Sequence, residues 1–151
     1  MIKKILSNQY LLFLFRVILG LVFIYSGIIK IIDTTGFSDS IYNYKLLPDL
    51  LINFLAIVLP WIELITGLLL MLGITIKENA LIINALLIIF LIVIIINLSR
   101  GLDINCGCFG TGNGTKIGFT KLVENSILLF MGAILMLFDS KILSIPLKKN
   151  S

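Results

Sequence analysis

Two thiols carry the most distinctive chemistry in this chain of 151 residues. Cys106 and Cys108, the only cysteines, stand on either side of Gly107 in the stretch "INCGCFG". Three chemistries fit that spacing. The pair could be inert, two small apolar side chains in a loop, but free cysteine favours apolar interiors. This stretch is instead crowded with Gly107, Gly110, Gly112 and Gly114. The pair could hold a metal, but structural zinc takes a full set of Cys or His ligands. A chain with no histidine and no further cysteine could supply that set only by sharing a site across a dimer. The third chemistry is thiol–disulfide exchange. Alpha carbons this close in sequence reach disulfide spacing only if the backbone folds back sharply. Gly107 allows that, having no beta carbon to forbid positive φ. So small a ring is strained, and strained, exposed disulfides are the oxidising, labile ones. Arg100, Lys116 and Lys121 nearby favour the thiolate. The redox reading accounts best for thiols in this setting.

The rest of the chain is apolar enough to define what surrounds that segment. It is 59% hydrophobic and 13% charged, with mean hydropathy +1.13. A soluble domain is about half apolar and about a quarter charged. The solvent is therefore lipid. The net charge of +4 sits largely in tails and loops such as "MIKK" and "PLKKN", so it gives no argument for a nucleic-acid partner. The absence of histidine removes the commonest proton shuttle and metal ligand, and no metal site is expected.

A bilayer core of about 30 Å needs roughly 20 apolar residues of helix. Four stretches meet or approach that length: residues 10–32, 51–74, 80–98 and 119–138. The expectation is an all-α, polytopic membrane protein, a four-transmembrane-helix bundle forming one domain over residues 1–151. The first stretch follows basic residues, but its apolar run exceeds the roughly 7–15 residues of a signal peptide and no A-x-A site follows. It reads as a retained anchor. The segment "DTTGFSDSIYNYKLLPDL" is long enough for a short interfacial helix, and its tyrosines suit the membrane–water boundary. A tight turn around "TIKEN" joins the second and third spans, and "SRGLDINCGCFGTGNGTKIG" joins the third and fourth.

Charge bias orients the bundle by a narrow margin. With both ends cytoplasmic, the inner side carries Lys3, Lys4, Lys77, Lys141, Lys148 and Lys149. The outer side carries Lys30, Lys45, Arg100, Lys116 and Lys121. The positive-inside rule thus places both termini on the cytoplasmic side and the cysteine loop outside. Disulfides persist there.

Arg16 and Glu63 fall within the first and second spans, where ionisable groups are costly and face the bundle interior. Arg16, Gly20, Phe23, Gly27 and Lys30 share one helical face, as do Asn53, Ala56, Pro60, Glu63 and Gly67. Small residues on both faces let the backbones approach closely. If the two spans end level, Arg16 and Glu63 differ in depth by about 6 Å at 1.5 Å per residue. An arginine bridges that, so an Arg16–Glu63 ion pair is expected, with Lys30 and Glu124 as a second pair. Such a pair pins helix packing, or Glu63 relays protons or contacts a quinone. Asn84 is expected as interhelical glue. Pro60 removes a backbone donor and predicts a kink. Trp61 beside it is expected in the core or lining a pocket.

With these pieces assembled, the chain resembles the MauE/DoxX family of redox-associated membrane proteins. The resemblance rests on "FRVILGLVFIYSGIIKI", "LPWIELITGLLLMLGI" and "CGCFG" before a last span, and it covers about residues 16–138. The C-G-C-F-G box is similar to the methylamine utilisation protein MauE branch. Relatives often carry an arginine early in the last span, where this chain has Glu124 and Asn125. The resemblance implies a four-helix membrane bundle and a thioredoxin-like extracytoplasmic partner. It implies support for disulfide formation in methylamine dehydrogenase, and, through the DoxX side, quinone-linked electron transfer. The marked positions fall on Arg16, Ser26, Gly27, Lys30, Pro60, Glu63, Gly67, Cys106, Cys108, Phe109 and Gly110. The expected function is a thiol–disulfide redox accessory; the residues assign it no cofactor, and quinone is the one that the resemblance raises. A non-catalytic membrane scaffold and a small subunit of a quinone-linked oxidoreductase are the competing classes.

Overall fold

The computed structural model describes residues 8–45, 48–100 and 119–138. Five helices occupy them: α1 (Gln9–Ile32), α2 (Thr34–Asn43), α3 (Asp49–Leu72), α4 (Ile76–Ser99) and α5 (Phe119–Leu137). Helices α1, α3 and α4 each contain 24 residues, about 36 Å at 1.5 Å per residue, and are apolar enough to cross a membrane. Helix α5 is shorter, at 19 residues. The chain is a multi-pass, all-α membrane protein.

The helix ends follow from local chemistry. The Asn8 side chain accepts from the Tyr10 N–H at 3.1 Å, capping the start of α1 where backbone donors have no partner within the helix. Asp33 serves two helices. Its N–H donates to the Ile29 carbonyl at 3.0 Å and closes α1. Its carboxylate then accepts from the Gly36 N–H at 3.0 Å and the Thr35 hydroxyl at 3.1 Å, opening α2. Helix α2 is the short surface helix expected between the first two spans. It is amphipathic, with Phe37, Ser40 and Ile41 buried.

Helix α3 ends at Gly73, which takes the left-handed φ of 73° that glycine tolerates without a beta-carbon clash. Ile74 N–H donates to Leu69 O at 2.9 Å and Gly73 N–H to Leu70 O at 3.1 Å, satisfying the last carbonyls. Asn79 braces the turn from the first turn of α4. Its side-chain amide donates to Ile74 O at 2.8 Å, Thr75 O at 3.1 Å and Thr75 Oγ1 at 3.0 Å. The turn is thus Gly73–Thr75, and Lys77–Asn79, expected within it, are helical.

The four long helices run up and down in a closed ring: α1 packs on α3, α3 on α4, α4 on α5 and α5 on α1. The α1–α3 and α4–α5 seams are the most extensive, and α2 lies against α3 and α1. One core cluster links the ring through Leu12, Leu19, Phe23, Leu70, Ile83, Leu87 and Leu135. A second, of Phe37, Ile41, Ile52 and Ala56, fixes α2 to α3. Outside this core the ring shows lipid-type side chains such as Leu14, Ile57, Ile65, Ile89 and Phe130. Trp61 belongs with these at 51% exposure, not in the core. It follows buried Pro60 by one residue, a step of about 100° around a helix, which turns it outward. Asn53 is also exposed. Ile52 takes the buried position on that face, and Asn53 accepts a bond from the Ser38 hydroxyl at 3.4 Å. Helix α3 runs unbroken through Pro60.

Candidate functional site

Close approach of α1 and α3 makes the site possible. A beta carbon added at Gly27 would stand 2.8 Å from Pro60 O and 3.0 Å from Leu64 N. One at Gly20 would stand 3.0 Å from Gly67 O and 3.0 Å from the Met71 beta carbon. Backbones this near place facing side chains within hydrogen-bond reach of each other, with no room for lipid between them.

On that seam Lys30 reaches Glu63. Its ammonium donates to Glu63 Oε1 at 2.7 Å and to Oε2 at 2.9 Å. The Ser26 hydroxyl, one turn below Lys30 on the same face, donates to Oε2 at 3.1 Å. Lys30 and Glu63 are each 1% exposed. Thr66, on the next turn of α3, turns its hydroxyl back to Ile62 O at 2.6 Å and to Glu63 O at 3.2 Å. Two aromatic rings complete the enclosure. The Lys30 ammonium lies 4.9 Å from the centroid of Phe37 on α2 and 4.8 Å from that of Phe90 on α4. Both distances suit attraction of a cation to a ring face. One ammonium therefore touches side chains of α2, α3 and α4 while standing on α1.

The expected Arg16–Glu63 pair is thus corrected: Lys30 is the cation at Glu63. The error lay in assuming level helix ends. Gly20 faces Gly67 and Met71, and Gly27 faces Pro60 and Leu64. On that register Arg16 lies beside the C-terminal end of α3, and Glu63 lies near Ser26 and Gly27. Arg16 is buried on α1 as expected, 1% exposed, with its guanidinium 5.0 Å from the Phe13 ring. Lys30 is engaged by Glu63, so the second expected pair, Lys30 with Glu124, does not form.

Of the other expected residues, Pro60 is buried on the seam, one turn from Glu63, and its carbonyl faces Gly27. Asn84 is buried on α4 against α5, where a beta carbon at Gly132 would collide with its side-chain oxygen. That oxygen has no hydrogen-bond partner, so Asn84 fills the seam by shape. Asn125 does bridge the same seam, donating to Leu87 O at 3.4 Å. Cys106, Gly107, Cys108, Phe109 and Gly110 lie outside the described residues. Phe37 and Phe90 are the site residues that sequence reasoning missed. Phe37 was within reach of it, because Phe37, Ile41 and Tyr44 recur at helical spacing in the short surface helix.

Fold and site together define a multi-pass helical membrane protein with a buried lysine–glutamate pair on the seam of two spans. The chain belongs to the MauE family: the model described as methylamine utilisation protein MauE matches residues 8–138. Methylamine utilization protein MauE of Methylorubrum extorquens is 32% identical over 127 residues, 83% of this chain and 68% of that protein. Its namesake in Paracoccus denitrificans is 29% identical over 124 residues, 82% of this chain and 67% of that protein. That of Paracoccus versutus is 30% identical over 130 residues, with coverages of 85% and 70%. No solved structure matches significantly.

Proposed function

We propose that this chain is a membrane accessory of methylamine utilisation that works by thiol–disulfide exchange through Cys106 and Cys108. The observation carrying this reading is the C-x-C pair in a glycine-rich segment of a chain that belongs to the MauE family. The relatives' shared name supports the metabolic setting. The segment joins α4 to α5, and an outward-facing loop between these helices would meet a soluble thioredoxin-like protein outside the inner membrane. The termini are then cytoplasmic.

The exchange balances without a further reagent. A thiolate of the partner attacks one sulfur of the Cys106–Cys108 disulfide, forming a mixed disulfide and releasing the other cysteine as thiolate, which takes up a proton. The partner's second thiolate then attacks the mixed disulfide. The partner leaves oxidised, and both cysteines of this chain are left reduced. Running the same steps backward reoxidises the pair at the expense of another disulfide. The buried Lys30–Glu63 pair lies on the bundle seam, and in this reading Arg16, Lys30, Pro60 and Glu63 belong to the α1–α3 frame on which the helices flanking the segment pack.

The competing class is a scaffold whose cysteines form a static clip. Tagging the thiols in cells with a mass-adding alkylating reagent, before and after reduction, separates the two. A redox protein gives a mixture of states, and Cys106→Ser or Cys108→Ser traps mixed disulfides with a second protein. Cysteines that stay wholly oxidised and trap nothing in either variant would overturn the proposal.

A further inference from the structure

Trp61 and Tyr25 face outward from the membrane-buried part of the bundle, although both carry hydrogen-bonding groups. Trp61 is the thirteenth of the 24 residues of α3 and is 51% exposed. Tyr25 is the seventeenth of the 24 residues of α1 and is 59% exposed. The other exposed tyrosines, Tyr10 and Tyr42, stand at helix ends, where aromatic rings with polar tips meet water. At Trp61 and Tyr25 only hydrocarbon lies outside a single copy of the chain. Neither the indole N–H nor the phenol hydroxyl has a hydrogen-bond partner among the described residues. Lipid tails offer none, and a polar group left unsatisfied at that depth is costly.

The two groups share a face. Gly27 and Pro60 meet across the α1–α3 seam, and Ile28 and Trp61 each follow by one residue, a turn of about 100°. Because α1 and α3 run antiparallel, both turns swing to the same side of the seam, away from the core. Leu21, Tyr25 and Ile28 on α1, and Ile57, Trp61 and Leu68 on α3, are all exposed there at helical spacing. The two groups also share a depth. Gly27 lies level with the turn between Pro60 and Leu64, which puts Tyr25 level with Leu64. That is three residues from Trp61, about 4.5 Å along the axis.

Copies of one chain inserted in one orientation are related by a two-fold axis along the membrane normal. Such an axis beside this face lays α1 of each copy on α3 of the other. Trp61 of one copy then meets Tyr25 of the other at nearly one depth, and the contact occurs twice. The indole is a donor only, whereas the phenol oxygen accepts, so the two groups are complementary. We propose that the outer face of the α1–α3 pair is a homodimer interface within the membrane, closed by hydrogen bonds from Trp61 of each copy to Tyr25 of the other.

The test uses the full chain in liposomes of phosphatidylethanolamine and phosphatidylglycerol. Single-molecule photobleaching reads the dimer fraction as the lipid-to-protein ratio is varied. Trp61→Phe keeps a ring and loses the N–H, and Tyr25→Phe loses only the hydroxyl. Each is expected to weaken dimerisation about fivefold or more. The double change is expected to be no weaker than either single one, because all three remove the same two bonds. Tyr42→Phe is expected to leave the dimer unaltered. Additive losses in the double variant overturn the proposal, as do single variants that dimerise like the wild type. A face covered instead by a lipid-soluble molecule or a different membrane protein leaves the wild type monomeric in these vesicles, and that result also overturns it.

Cross-linking between two differently tagged chains, both carrying Cys106→Ser and Cys108→Ser, reads the face itself. Leu21→Cys in one chain and Leu68→Cys in the other are level on the same register and are expected to cross-link. Leu68→Cys with Ile127→Cys, on the exposed side of α5, is expected to stay apart. Cross-linking that favours the second pair, or neither pair, overturns the proposal.

Discussion

Lys30 and Glu63 meet at two points, 2.7 and 2.9 Å, across the α1–α3 seam, and both are almost wholly shielded from the surroundings. Removing one member strands the other. Lys30→Met or Glu63→Leu alone is expected to cost about 3–5 kcal/mol, whereas the double change, which leaves no stranded charge, should recover most of that. Unfolding of the four proteins in detergent checks this. A double variant no more stable than either single one would contradict it.

Exchanging the charges separates the two cations on α1. Lys30→Glu with Glu63→Lys should recover assembly lost in either single reversal. Arg16→Glu with Glu63→Arg should recover none, because Arg16 and Lys30 stand about 21 Å apart along the helix at 1.5 Å per residue. The yield of monodisperse protein after extraction is the readout.

Two glycine substitutions should differ in severity. At Gly27 an added methyl meets the backbone of Pro60 and Leu64, which can yield only if the helices separate. A cost of about 1–3 kcal/mol is expected, the usual range for overpacking. At Gly132 it meets only the end of the Asn84 side chain, which can rotate aside, so Gly132→Ala should be the milder change. Parallel thermal denaturation of the two variants settles the order.

Alkaline conditions should reveal the Tyr44 environment. Burial pushes its phenol up from 10.0 to about 12. The folded state therefore holds this proton more tightly than the unfolded chain does. The resulting stabilisation is whole below pH 10 and disappears as pH climbs to about 12. Stability measured over that interval should fall more steeply in the wild type than in Tyr44→Phe. Identical slopes would show that the ring does not titrate in this way.

Much of this architecture is legible in the sequence because its causes are periodic. The α1 face of Arg16, Gly20, Phe23, Gly27 and Lys30 is buried as a set, and the spacing of small residues that announces the seam needs no knowledge of distant parts of the chain. Which cation meets Glu63 is different in kind. It depends on how far α1 slides along α3, a relation fixed by Gly20 against Gly67 and Gly27 against Pro60, and the helix ends do not encode it. Trp61 failed for a related reason. Its neighbour Pro60 is buried, but adjacent helical positions face different ways, and an apolar ring in a lipid-facing position looks the same in sequence as one in a core. Polarity misled at Lys77, Glu78 and Asn79, where a charged stretch looks like a turn yet forms the first turn of α4, with Asn79 facing back onto the true turn. The enclosure of Lys30 by Phe37 and Phe90 joins residues from helices far apart in the chain, so local patterns could mark only the Phe37 half of it.

Asp33 belongs to two helices at once, stopping one and starting the next. That sharing leaves no slack at the corner: a transmembrane rod and a surface strut are welded at a single aspartate, one by its backbone N–H and the other by its carboxylate. Lengthening the joint by one residue would rotate the strut by about 100° about its own axis. Phe37 would swing off the lysine and Tyr44, buried at the far tip, would swing out of its niche, so a defect at one elbow would be felt on the opposite side of that end of the bundle.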